Sequence, residues 1–249
     1  MSYDPALALQ CAHLSADIYR HDTKLQARER PDLLSYIDVN GTQALLVDHP
    51  NRVYVVFCGT TYEDIPADFK CRRKRTPMGG IHRGFLNYTR QAQYQISAQL
   101  RRRFPRKPIV FTGHSLGAAA AVIAAAHFHR LGHEVEAVYT FGEPRVGNAE
   151  FKGYANAAFG ERHFRHVNGH DGVPLLPPWL AGYRHSGHLI YFSTRGQKRA
   201  QKMTPLKMLL ERLPLLLTRP WKWAQSKRVD HAVFLYVAAC ERNLKDPEK

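Results

Sequence analysis

The sequence predicts an α/β fold: a mostly parallel central sheet with helices on both faces. Three observations carry this reading. Short β-favouring runs alternate along the chain with stretches of helical periodicity, the order that parallel strands and crossover helices require. Several of these runs, Val53–Cys58 and Ile109–Phe111 among them, are apolar throughout, as strands buried on both faces are. One such strand runs through Gly113-His114-Ser115-Leu116-Gly117 directly into an alanine-rich helix, Ala118–Ala126. At 249 residues the chain suits one large domain.

In chain order, Leu7, Cys11, Leu14 and Ile18 recur at helical spacing and predict a first amphipathic helix. Residues 21–34 are polar and read as loop. Tyr36–Val39 and Gln43–Asp48 flank Asn40-Gly41, a strong hairpin signal. After the strand Val53–Cys58, residues 61–80 lack periodicity, hold a basic run (Lys70, Arg72, Arg73, Lys74, Arg75), and read as a surface loop or lid. Phe85, Thr89, Ala92, Ile96 and Leu100 mark a helix ending in a basic patch, Arg101–Lys107. Beyond the alanine-rich helix come a strand at Val135–Phe141, a helix at Asn148–Ala158 and a strand at Phe164–Val167. Tyr183–Ser193 alternates like a hairpin, and Ala232–Leu244 forms a last amphipathic helix.

Residues 194–228 differ in composition from everything before them. Ten basic residues face one acid, Glu211, interleaved with leucines, Trp221 and Trp223. Pro205, Pro214 and Pro220 divide the stretch into short pieces. Leucine and tryptophan beside lysine and arginine is the composition of a membrane-surface segment; a helical excursion packed on the domain, with a solvated basic face, fits equally.

Lys+Arg 36 against Asp+Glu 21 gives a formal net charge of +15, which favours anionic surfaces. The aromatic-basic motif of a nucleic-acid-binding sheet is missing, so no nucleic acid is expected. Cys11, Cys58, Cys71 and Cys240 are scattered, without metal-ligand spacing. The first residues carry no basic-then-apolar leader. These features predict a reduced setting, cytoplasmic or peripheral to the inner membrane face, with secretion by a signal-independent route left open. Oligomeric state is not legible.

Gly113-His114-Ser115-Leu116-Gly117 fits the G-x-S-x-G elbow, in which a strand turns sharply into a helix and raises a nucleophilic serine. Glycines two residues either side of Ser115 suit a turn that leaves no room for Cβ atoms. The competing reading is a turn whose serine caps the helix. A serine nucleophile needs a base and a carboxylate that holds the base in one tautomer. Downstream, Asp171 and Asp230 are the candidate acids. Asp171 precedes a rigid Gly-Pro-rich loop, whereas Asp230 adjoins His231, and neighbours rarely aim side chains at each other. Among His163, His166, His170, His185, His188 and His231, spacing alone leaves His231 level with His185 and His188.

Five segments together resemble the class 3, fungal-type lipases of the α/β-hydrolase superfamily. They are Val55–Thr61, Ile81–Leu86, Thr112–Ala119, Tyr139–Asn148 and His166–Pro178, completed by Asp230-His231. The resemblance implies an α/β-hydrolase fold spanning nearly the whole chain. It implies Ser115 as nucleophile, Asp171 as orienting acid and His231 as general base, with an oxyanion hole from Thr60 and Leu116. Residues 61–80 take the place of the family's lid, Cys58 stands where the family usually has arginine, and 194–228 has no counterpart in the short fungal enzymes. The expected activity is hydrolysis of acylglycerols or related lipid esters through an acyl-enzyme, without metal or organic cofactor. The alternatives are a phospholipase acting on anionic lipids and a catalytically weak peripheral-membrane protein.

Overall fold

The computed structural model describes residues 2–59, 71–193 and 230–245. The strands are β1 (Leu34–Val39), β2 (Thr42–His49), β3 (Arg52–Phe57), β4 (Arg73–Thr76), β5 (Gly79–His82), β6 (Ile109–His114), β7 (Val135–Phe141), β8 (His163–Asn168) and β9 (His188–Phe192). The helices are α1 (Pro5–Asp17), α2 (His21–Glu29), α3 (Arg83–Arg103), α4 (Leu116–Arg130), α5 (Ala149–Phe159) and α6 (Val233–Lys245). Seven strands form one sheet in the order β1-β2-β3-β6-β7-β8-β9. The first three pair antiparallel; from β3 to β9 every pairing is parallel. This is the α/β-hydrolase arrangement that the sequence predicts.

The two faces of the sheet take alternate residues, as the two-residue strand period demands. Ile109 and Phe111 join the core under α3, α4 and α5, with Val53, Val55 and Phe57 from β3. Val110 faces the other way, into the layer beneath α1 and α6, with Tyr54, Val56, Tyr139 and Phe141. Every residue of α4 from Gly117 to Ala126 is buried. Its side chains there are alanine except for Val122 and Ile123, which lets the helix lie close to the strands while other helices cover its outer side. At the first helix, Asp4 caps the N-terminus by accepting from the Ala6 and Leu7 N–H groups.

Asn40 and Gly41 both adopt positive φ, 50° and 82°, as the predicted two-residue hairpin requires. Three expectations need correction. Residues 21–29 form a helix rather than loop: Lys24, Gln26 and Arg28 favour helix and Asp22 sits in its first turn, but only Ala27 is buried, so no apolar stripe marks it. Within the lid-like segment, β4 and β5 pair antiparallel across the turn Thr76-Pro77-Met78-Gly79, where the Thr76 hydroxyl donates to the Gly79 carbonyl. Tyr183–Ser193 is no hairpin. Only β9 is a strand, parallel to β8, while Arg184 forms an isolated bridge with Gly147. β9 itself is not half-buried, since Ile190, Tyr191 and Phe192 are all buried. Residues 60–70 and the basic stretch 194–228 lie outside the described residues, Thr60 among them.

Candidate active site

β6 ends at His114 and α4 starts at Leu116, so Ser115 alone makes the turn. Its backbone sits at φ 57° and ψ −123°, a region that costs a non-glycine residue about 1–3 kcal/mol. The turn is held by its neighbours. A Cβ on Gly113 would lie 2.5 Å from the Gly117 carbonyl, and one on Gly117 would lie 2.2 Å from the Phe57 carbonyl oxygen. Strand, turn and helix therefore meet as the sequence expectation requires. The Ser115 side chain makes no capping bond to α4, which removes the helix-cap reading. Its hydroxyl is buried and has no hydrogen-bond partner among the described residues. Leu116 is the first residue of α4, where N–H groups lack intrahelical acceptors. Gly59 packs onto the elbow, its missing Cβ position 3.3 Å from Ser115 Cβ.

Asp171 lies just past the C-terminal end of β8. Its Oδ1 accepts the Val173 N–H at 2.8 Å, and its Oδ2 accepts His231 Nδ1–H, also at 2.8 Å. Because the carboxylate can only accept, Nδ1 carries the proton and Nε2 is the basic nitrogen. Gly142 lies beneath the pair. A Cβ there would stand 2.8 Å from Asp171 Oδ2 and 2.9 Å from the His231 ring, and its φ of +60° itself favours glycine. The residue before it, Phe141, accepts the Ser115 N–H at 3.0 Å, so β7 links the elbow to the Asp171–His231 pair.

A second link runs through His114. Its Nε2 donates to the His231 carbonyl at 2.6 Å, and its Nδ1 accepts from the Tyr19 hydroxyl at 3.0 Å. Burial, reinforced by the positive charge His231 can carry, holds the His114 imidazole well below its usual range, so it stays neutral in this tautomer. The residue beside the serine thus anchors the main chain of the histidine.

Spacing singled out neither Tyr236 nor the role of Asp230. The Tyr236 hydroxyl donates to Asp171 Oδ2 and accepts the Asn168 N–H at 3.2 Å. Burial, then the Asp171 charge, pushes that hydroxyl far above its ordinary range, so it remains a donor. Nothing in the apolar pattern of α6 marks Tyr236 as different from a core residue. Asp230 is a clip: its carboxylate accepts the His170 N–H at 2.8 Å, and its carbonyl accepts Asn168 Nδ2–H at 3.1 Å.

The other histidines have different neighbours. His163 meets the buried Glu143 at 2.9 Å, and Glu143 also accepts from Thr140 at 2.6 Å. Burial alone would raise the Glu143 carboxyl, yet His163 and Arg165 hold it below the usual carboxylate range. His185 donates to the Pro174 carbonyl, His188 faces Glu161, and His166 bonds the Thr140 carbonyl while stacking on Phe141.

A profile of the class 3 lipases matches residues 54–181, just over half of the chain. The chain belongs to the class 3 lipase family. Among curated relatives, it is 39% identical over 130 residues to lipase A of Sodiomyces alcalophilus, covering 46% of this chain and 31% of that protein. A secreted mono- and diacylglycerol lipase of Malassezia restricta is 32% identical over 163 residues, 65% of this chain and 48% of that protein. The chain thus spans about a third to a half of the length of these relatives. Among solved structures, the Rhizomucor miehei triacylglyceride lipase superposes with a TM-score of 0.67 at 23% identity, over 80% of this chain and 84% of that one, and so shares the fold. No described helix is long and apolar enough to cross a membrane.

Proposed function

We propose that this chain is a serine ester hydrolase acting on acylglycerols or related lipid esters. Ser115 Oγ attacks the ester carbonyl while His231 Nε2 takes its proton. Asp171 holds the imidazole in the required tautomer and stabilises the imidazolium that forms. The developing oxyanion is met by the Leu116 N–H at the start of α4 and by Thr60; loss of one such donor costs ~10²–10³ in rate. His231 then protonates the departing alcohol. Water, deprotonated by the same nitrogen, attacks the acyl-enzyme, and collapse releases the fatty acid and frees Ser115.

The observation that carries this reading is the 2.8 Å bond from His231 Nδ1 to Asp171, on a main chain tied to His114 beside the strained Ser115. Family membership supports the same chemistry, and relatives named as mono- and diacylglycerol lipases support the lipid ester as substrate. The net charge of +15 favours anionic phospholipid as a second substrate class. Relatives named as secreted contrast with the reduced setting expected from the cysteine pattern; assaying medium, cytosol and membranes of the host for the protein distinguishes these settings.

Ser115→Ala decides the chemistry. We expect hydrolysis of a p-nitrophenyl butyrate probe to fall by at least ~10³-fold, with loss of fluorophosphonate labelling and an unchanged melt. Persistent labelling at another serine sinks the assignment. A panel of mono-, di- and triacylglycerols and phospholipids ranks the substrates.

A further inference from the structure

Of the large apolar side chains exposed among the described residues, three fall between Leu175 and Leu180. Leu175 is 39% exposed, Trp179 60% and Leu180 79%. They sit on the loop that leaves Asp171, where Trp179–Ala181 form a single 3₁₀ turn. Such a tip is a poor candidate for ordinary solvent exposure, because tryptophan and leucine side by side present a contiguous apolar area to water.

The backbone of this tip is satisfied by arginines. Arg73 donates to the Ala181 carbonyl, Arg184 to the Trp179 carbonyl at 2.8 Å, and Arg145 to the carbonyls of Leu175 and Pro177. A turn taken out of water must satisfy its carbonyl groups internally. Here guanidinium groups do so, and they hold the turn with its apolar side chains outward.

The strand beside the tip is strongly basic. Arg73 on β4 lies over the Tyr183 ring, 5.1 Å from its centroid, so β4 flanks the tip. On that strand and just before it, Arg72, Lys74 and Arg75 are all exposed. Neither residues 71–83 nor residues 173–193 contain an aspartate or glutamate. An apolar tip with a tryptophan at its edge, flanked by exposed cations that outnumber the one carboxylate packed near them, Glu150 beside Gly79, complements a surface that is apolar inside and anionic at its head groups.

We infer that the Trp179–Leu180 tip and the flanking β4 cations form a docking surface for anionic lipid bilayers. Trp179 and Leu180 enter the head-group region while Arg72, Lys74 and Arg75 meet lipid phosphates and carboxylates. None of these residues belongs to the stretch 194–228. Because its partner is a bilayer and its readout is binding, it stands independently of whether Ser115 performs catalysis.

The test is co-sedimentation of the full chain with vesicles of phosphatidylcholine alone and of phosphatidylcholine with phosphatidylserine. Wild type is expected to bind the anionic vesicles preferentially, with binding that weakens as salt rises. Trp179→Ser with Leu180→Ser is expected to weaken anionic-vesicle binding at least ~10-fold. Arg72→Glu, Lys74→Glu and Arg75→Glu together are expected to weaken it by more, since each basic side chain contributes roughly fivefold. The charge-reversed protein leaves the arginines that bond the turn in place, so it keeps the tip assembled even if the apolar variant melts early. Unchanged partition in either folded variant overturns the inference, as does equal binding of wild type to both vesicles. Loss of binding only on exchange of Lys198, Arg199, Lys202 and Lys207 for Glu overturns it too, and assigns docking to the other segment.

Discussion

Tyr236 and His231 donate to the same oxygen of Asp171, His231 through Nδ1–H and Tyr236 through its hydroxyl. The tyrosine is therefore placed to hold the carboxylate against the imidazole and to stabilise its charge. Tyr236→Phe keeps the ring and its packing but removes a donor to a charged acceptor, worth about 1.5–3 kcal/mol. We expect kcat/KM on a short-chain ester to fall roughly tenfold, mostly in kcat. Steady-state kinetics checks this; a change confined to KM points to substrate contact instead.

Gly142 is the close approach beneath that pair. Gly142→Ala places a Cβ within 3 Å of both Asp171 and His231 and forces alanine into positive φ. The expected result is a loss of ~10²-fold in kcat, since a displacement near 1 Å has that effect on oriented groups. Paired kinetics and thermal melts will show the rate falling further than the stability lost accounts for.

The histidines divide by environment. His231→Ala is expected to remove nearly all hydrolysis, whereas His185→Ala and His188→Ala retain most of it. Retention in the first with loss in the last would move the base elsewhere. A panel of purified variants on one soluble ester suffices.

Stability should fall on mild acidification. His185 is held down to about 4 by burial and by Arg165, and His114 is held well below its usual range. Both are neutral in the fold and readily protonated once unfolded, so the unfolded chain binds more protons below pH ~6.5 and the native state loses ground as pH drops. For His185 the loss accumulates between about pH 6.5 and 4, to on the order of 3 kcal/mol. Glu143 has the opposite origin and the same sign later: its depressed pKa stabilises above the unfolded carboxylate range and loses that effect only at lower pH. Melting temperatures measured from pH 7.5 to pH ~4.5 should therefore fall, and His185→Gln should flatten part of the slope.

How much of this was legible depended on what each residue does. The parallel strands and α4 were readable because runs such as Val53–Cys58 and the alanines after Gly117 have no other comfortable arrangement. Ser115 was readable because an elbow needs glycine at both 113 and 117. The choice of His231 over His185 was not readable from spacing, because all three candidate histidines lie in or next to loops, His185 before β9, His188 at its start and His231 before α6, and what sets His231 apart is its long-range bond to Asp171. Tyr236 was invisible for a related reason: a buried tyrosine on an amphipathic helix has the same pattern whether its hydroxyl meets water or a carboxylate. Helix α2 escaped because it buries a single alanine, which leaves periodicity nothing to detect.

The Asp230 clip has a topological consequence. Gly169 donates its N–H to the Phe192 carbonyl, while Asn168 and His170, on either side of it, hold Asp230. Both ends of the stretch between Ser193 and Asp230 are therefore moored to the same short loop, and a closed loop's entropy grows only slowly with its length. The place where His231 enters the site is thus fixed by described residues on either side of that stretch. Among the described residues, the last strand and the last helix meet at one loop, the loop that also carries Asp171 to His231.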